Sequence, residues 1–325
     1  MPRIYYEASN YLGNYANINT LNEEFILCKK LDLYRAIVTV GNPAFLTWRK
    51  IKEFGLFRAV SDSVFQKCLL VQANIQSDLN GMMLHPIFNT YVSDEKRKVS
   101  YNLGMAVAKL YSERLLNIPN LIHIETLKKQ QAVTFNAVGK KSKEPDLVGQ
   151  TPDLRWHIFE AKGMSNNQLA KKIQEGKDQA REVATIHNVA PSTLSVCATH
   201  FGLDRITSKI DDPAQDGDKI IEIDVNKYFN TYYLPFLSLE ETVQTSFKNQ
   251  KIENIDYNYI NIQTPKLNIT IGLLSEVYEL LKQGDWNDLN QYYINNIERN
   301  TFLNQEISEN NSVGLDGFLF RYTNF

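Results

Sequence analysis

Residues 144–163 read EPDLVGQTPDLRWHIFEAKG: two Pro-Asp pairs, then an apolar run ending in Glu-Ala-Lys. WHIF is apolar on both faces, which argues for a strand covered on both sides. Side chains alternate along a strand, so Trp156, Ile158, Glu160 and Lys162 share one face and His157, Phe159 and Ala161 the other. The polar QTPDLR supplies a turn between this strand and DLVG, making the pair a hairpin. Centring the hairpin on Asp153 sets Asp146 directly across from Glu160. Asp153 is then a turn former, up to ~23 Å from Glu160 at ~3.3 Å per residue. Asp146 is the acid with a partner.

The flanking segments extend this hairpin into a fold. YNLGMAVAKLYSERLL, residues 101–116, spaces Leu103, Ala106, Val107 and Leu110 as one helical stripe, and Gly104, Ala106 and Ala108 permit close packing. Pro119 and Asn120 end it, and LIHIETL, residues 121–127, reads as a strand. After the lysine, residues 165–186 begin at a capping Ser165 and place Leu169, Ile173, Ala180, Val183 and Ala184 on one helical face. TLSVCATHFG, residues 193–202, follows as a strand. This order fits an α/β fold with a mixed central sheet flanked by helices. Residues 101–240 are the expected core, 1–100 an N-terminal accessory region, and 241–325 a mostly helical C-terminal region packed on the core. Within the last, residues 270–299 read as two helices broken at Gly284, and GLDGFLFR as a final strand.

Composition sets the class. With 43% hydrophobic and 22% charged residues, the chain is expected to bury an ordinary core. MPRIYYEASNYLGNY lacks the pattern of a signal peptide, and no run reaches the ~20 apolar residues of a membrane span, so a soluble, cytoplasmic protein is expected. Cys28, Cys68 and Cys197 show no paired spacing, which fits buried thiols in a reducing compartment. The net charge is −2, yet residues 128–181 carry 11 Lys and Arg against 6 Asp and Glu, a local +5 that leaves −7 elsewhere. Positive potential is therefore concentrated around the hairpin. The five histidines lack metal-ligand spacing, and no GxSxG, Walker, GxGxxG or HExxH motif is present, which removes those chemistries.

Two carboxylates facing each other across adjacent strands repel, and each raises the other's pKa unless positive charge lies between them. A divalent cation supplies that charge; Mg²⁺ favours carboxylate and water oxygens and leaves positions open for a phosphate. Lys162, beside Glu160, is placed to orient or help deprotonate a water, or to neutralise charge building on phosphorus.

Pro145-Asp146, then Glu160-Ala161-Lys162 after 13 intervening residues, then Gly163 and a helix, resembles the PD-(D/E)XK nuclease superfamily over roughly residues 101–203. The resemblance implies a restriction-endonuclease-like core and Mg²⁺- or Mn²⁺-dependent hydrolysis of phosphodiesters, DNA first, with RNA left open. It implies metal on Asp146, Glu160 and the Ala161 carbonyl, and Lys162 as catalytic lysine. Glu113 would be the acid on the preceding helix, and Gln179, ahead of Gln174, the glutamine on the following one. Lys140, Lys141, Lys143, Lys171, Lys172 and Arg181, with Lys128 and Lys129, are the cations placed to meet phosphates. A restriction or anti-phage role, a homodimer, and a protein partner on the N- or C-terminal region accompany that reading. The alternative is a non-catalytic binding or scaffold protein that keeps the fold.

Overall fold

The computed structural model describes residues 2–41, 52–78, 81–136, 144–166, 168–242, 247–252, 255–264, 267–284, 286–306 and 310–323. Seven strands build the main sheet: β1 (Arg3–Ser9), β2 (Glu24–Leu27), β3 (Asn120–His123), β4 (Leu147–Gln150), β5 (Trp156–Met164), β6 (Thr193–Phe201) and β7 (Ile206–Asp211). Their order across the sheet is β2-β1-β7-β6-β5-β4-β3. β1 pairs parallel with β7 and β5 with β6, while the other neighbours are antiparallel. A parallel pair needs a crossover connection, and the helix α3 (Leu169–Ala180) lies within the one joining β5 to β6. The architecture is thus α/β, a mixed sheet between helices.

Helix α2 (Ser93–Leu116) covers the opposite face from α3. Leu103, Ala106, Val107 and Leu110 are fully buried; each such Leu or Val contributes roughly 1.5–3 kcal/mol. The helix starts eight residues before the apolar stripe suggests. Glu95 accounts for this, because its carboxylate accepts the Val92 N–H at 3.2 Å and caps the first turn. At the other end Asn117 takes a left-handed conformation, φ 55°, and stops it.

Two boundaries differ from the sequence reading. His123 ends β3 and its ring Nδ1 accepts the Glu125 N–H at 3.1 Å, so LIH stays strand while IETL opens a short helix, Ile124–Lys129. α3 stops at Ala180, and Val183–Ile186 becomes a strand in a three-stranded sheet with Val133–Asn136 and Lys219–Ile223. The β-branched Val183, Thr185 and Ile186 favour that outcome over a continued helix.

The accessory regions also differ. Residues 1–100 are not separate from the core, since β1 and β2 complete one side of the main sheet. The C-terminal region is not mostly helical: Phe247–Ile252, Ile255–Thr264, Leu267–Leu274, Phe318–Thr323 and Asn311–Val313 form a five-stranded antiparallel sheet in that order. The helices Ser275–Gln283 and Trp286–Glu306 do break at Gly284, whose φ of +73° suits glycine. Helix α1 (Lys30–Thr39) packs on α2 and on two strands of this C-terminal sheet, joining both ends of the chain to the core. Among the described residues no helix is long and apolar enough to cross a membrane, and the three cysteines are buried free thiols.

Candidate active site

The hairpin pairs Leu147 with Phe159, Val148 with Ile158, Gly149 with His157 and Gln150 with Trp156, a register centred on residue 153. The turn closes with the Thr151 N–H donating to the Arg155 carbonyl at 2.9 Å, and Asp153 pairs with Arg155 at its tip. The same register carries Asp146, one residue before β4, to the level of Glu160. There the Asp146 N–H donates to Glu160 Oε2 at 3.0 Å, and the Ala161 N–H donates to Asp146 Oδ2 at 3.2 Å. Lys162 Nζ pairs with Glu160 Oε1 and lies 3.9 Å from Asp146 Oδ2. Two acids and one lysine thus form a closed polar cluster at the end of β5.

Both sheet faces seat this cluster through glycines. On one side a Cβ at Gly176 of α3 would lie 2.3 Å from Val196 Cγ1 and 3.4 Å from Glu160 Cγ, so the helix backbone rests on the carboxylate's stem. On the other a Cβ at Gly163 would lie 1.8 Å from the Ser100 carbonyl oxygen of α2. Glu160 is fully buried, whereas Lys162 and Asp146 side chains keep 19% exposure, so the cluster meets solvent on the side of these two residues. Burial, and then the charge of Asp146, push the Glu160 carboxyl up to about 8 against the opposing pull of Lys162.

The other expected site residues separate clearly. Glu113 lies nine residues beyond Gly104 on α2, about 13 Å along the axis at ~1.5 Å per residue. Its carboxylate takes two hydrogen bonds from Arg35, at 2.8 and 2.7 Å, and an ion pair from Lys109 at 2.9 Å. Asp316 completes this buried cluster, 3.3 Å from Lys109 and 3.8 Å from Arg35. Burial alone would raise the Glu113 carboxyl, but Arg35 and then Lys109 hold it at about 2. Glu113 is therefore a structural ion-pair member and does not join Asp146 and Glu160.

Gln179, half-buried, sits one turn past Gly176 and toward the start of β5, away from Lys162. Gln174 is exposed and donates to Asp178 at 2.9 Å. Lys172 pairs with Glu175, Lys171 is exposed, and Arg181 is half-buried at the end of α3. Lys128 and Lys129 are engaged by Glu144 and Glu125 at 2.7 and 2.9 Å. Lys140, Lys141 and Lys143 lie outside the described residues. His157 is buried, with Nδ1 3.0 Å from Thr193 Oγ1, and burial lowers its pKa to about 3.

Three neighbours of the cluster escape a reading by motif. Gly176 interrupts a helix interior at a cost of roughly 1 kcal/mol relative to Ala, which is itself a sign of close packing. Tyr101 follows Ser100, the α2 residue seated on Gly163, and is 44% exposed. His123 is paired with Leu147, next to Asp146, and its Nε2 lies 3.4 Å from the Tyr101 hydroxyl.

Among the described residues no group of three His, Cys, Asp or Glu side chains converges in metal-binding geometry. Asp146 and Glu160 therefore offer a two-carboxylate site. The Ala161 carbonyl is a third oxygen donor directed to the same side, because the N–H and C=O of a strand residue point alike and its N–H reaches Asp146. Mg²⁺ suits such a set, since it commonly takes one or two carboxylates and retains several waters. Comparison with protein-family models, with curated proteins and with solved structures finds no match to the chain.

Proposed function

We propose that this protein is a metal-dependent nuclease with a restriction-endonuclease-like catalytic core, acting on DNA. The observation that carries the reading is the juxtaposition of Asp146 and Glu160 with Lys162 between them, at an edge open to solvent. Burial, and then repulsion from Asp146, raise the Glu160 carboxyl, and a bound divalent cation would relieve that repulsion.

Asp146, Glu160 and the Ala161 carbonyl would hold Mg²⁺ or Mn²⁺. When bound, such an ion supplies Lewis acidity to a phosphoryl oxygen and an acidified water. The chain's own residues set the geometry. The paired N–H donors fix both carboxylates against the hairpin, and α3 excludes water from the buried side of Glu160. Lys162 brings its ammonium to the open edge beside both acids, where it can orient the attacking water and offset negative charge on phosphorus. A fixed acid pair with a cation at its exposed side suits phosphodiester hydrolysis.

The test incubates purified protein with plasmid and single-stranded DNA, in Mg²⁺, Mn²⁺ or chelator, beside Glu160→Ala and Lys162→Ala. Metal-dependent cleavage lost in both variants is expected. Cleavage that survives both removes the mechanism, and binding without cleavage favours a scaffold that keeps the fold.

A further inference from the structure

Tyr101 and His123 stand beside the acid cluster and take no part in the chemistry above. His123 Nδ1 accepts the Glu125 N–H at 3.1 Å, so in the neutral ring Nε2 carries the hydrogen. That Nε2–H faces the Tyr101 hydroxyl oxygen at 3.4 Å and is its donor. The phenol oxygen is thereby engaged as an acceptor, and its own hydrogen has no acceptor assigned among the described residues. A backbone amide, an imidazole and a phenol are thus chained with their hydrogens running outward.

The packing fixes where this chain ends. Ser100 and Gly104 of α2 press on Gly163, one residue past Lys162, so Tyr101 rises at the same end of β5 as the lysine. His123 is paired with Leu147, and the residue after it, Ile124, donates its N–H to the Asp146 carbonyl at 3.0 Å. Tyr101 thus lies at the margin of the Asp146 and Glu160 cluster, within reach of their electrostatic influence. Burial of part of its ring, and then the charges of Asp146, Glu160 and Glu125, raise its pKa to about 12, so the phenol stays protonated. It is a neutral donor at an anionic margin, suited to a phosphate oxygen where a second carboxylate would repel one.

We infer that Tyr101 is a substrate-positioning residue, donating a hydrogen bond from its hydroxyl to a non-bridging oxygen of a nucleic-acid phosphate next to the one cleaved, with His123 holding the phenol in place. This rests on the nuclease reading for its substrate, while its binding step is measurable without cleavage. His123 acts through Tyr101 and touches no substrate itself.

The experiment measures binding of a short fluorescein-labelled DNA duplex and of its single strand by anisotropy, in chelator so that no cleavage occurs. It uses wild type, Tyr101→Phe, His123→Leu and the double variant, each checked for an unchanged melting temperature. Loss of one hydrogen bond to a charged oxygen should weaken binding about tenfold in Tyr101→Phe. The double variant should bind no worse than Tyr101→Phe, because the two residues act in series. Full-strength binding by a folded Tyr101→Phe overturns the inference, as does a wild type that binds neither DNA. Additive losses overturn the role given to His123. If His123→Leu fails to fold, Tyr101→Phe alone still decides. A wild type that binds tightly, weakens on Tyr101→Phe and never cleaves with metal sinks the nuclease reading and keeps Tyr101 only as a donor to a nucleic-acid phosphate. Where cleavage occurs, Tyr101→Phe should raise KM about tenfold with kcat within about twofold.

Discussion

Asp146 and Glu160 are cross-linked through the backbone: the amide of Asp146 donates to the Glu160 carboxylate, and the Asp146 carboxylate accepts from the amide of the residue after Glu160. Each acid is thus positioned by the other's strand. Their geometry is set by the hairpin before any ligand arrives.

That arrangement makes metal-free stability depend on pH. The Glu160 carboxyl is raised from 4.5 to about 8, so between those values the folded protein binds more protons than the unfolded chain, and stability falls as pH rises. Thermal melts in chelator should show this decline, and Glu160→Gln should flatten it. Mg²⁺ should stabilise wild type most at the alkaline end, by displacing the proton. A melting temperature that climbs from pH 5 to pH 8 in chelator contradicts the raised carboxyl.

Lys162→Met removes the only cation paired with Glu160 among the described contacts. Cleavage should drop about 10²–10⁴-fold, the range for losing a positioned proton-transfer or charge-stabilising group. The fold should survive, because Lys162 is partly exposed and Glu160 can take up a proton. Single-turnover rates with the circular dichroism spectrum separate the two effects; a loss of fold without a specific loss of rate refutes the assignment.

Glu113→Ala strands Arg35 and Lys109 in a dry interior, leaving Asp316 as the acid still ion-paired with both among the described residues. Unpairing a buried ion in this way costs about 3–5 kcal/mol. Urea unfolding should record that loss, while the rate per folded molecule stays near wild type. A selective loss of cleavage at full stability would place Glu113 at the metal after all.

Gly176→Ala gains roughly 1 kcal/mol of helix propensity, yet its methyl would fall 2.3 Å from Val196 Cγ1. Overpacking of this kind costs about 1–3 kcal/mol and moves backbone. We expect lower stability and a larger fall in activity, since the shift is felt at Glu160. A stabilised, fully active variant would show that α3 does not seat the acid.

The Asp146–Glu160 register was readable because a hairpin obeys simple arithmetic: one turn residue fixes every pair. The core stripe of α2 was readable for a similar reason, as Leu103, Ala106, Val107 and Leu110 repeat with the helix. Glu113 was not. Its place beside the stripe gives burial, but its partner Arg35 and the cluster's second acid, Asp316, come from distant segments on either side, and no local period carries that information. In the C-terminal region the signal was present in DYNYINI, where Tyr257 and Tyr259 alternate with Asn258 and Ile260 at a strand's period. LIHIETL misled because its β-branched residues suit a strand, while one imidazole captures the amide that begins a helix.

The Arg35, Lys109, Glu113 and Asp316 cluster also carries a consequence for how the molecule is made. During synthesis Arg35 and Lys109 emerge long before Asp316, and until it arrives Glu113 is the one acid ion-paired with both among the described residues. A charge imbalance of that kind opposes dehydration, so the seam between α1 and α2 closes fully only when the turn before the last strand docks. Because α2 also rests on Gly163, the edge that carries Asp146, Glu160 and Lys162 inherits this order and settles fully only after Asp316 has been made.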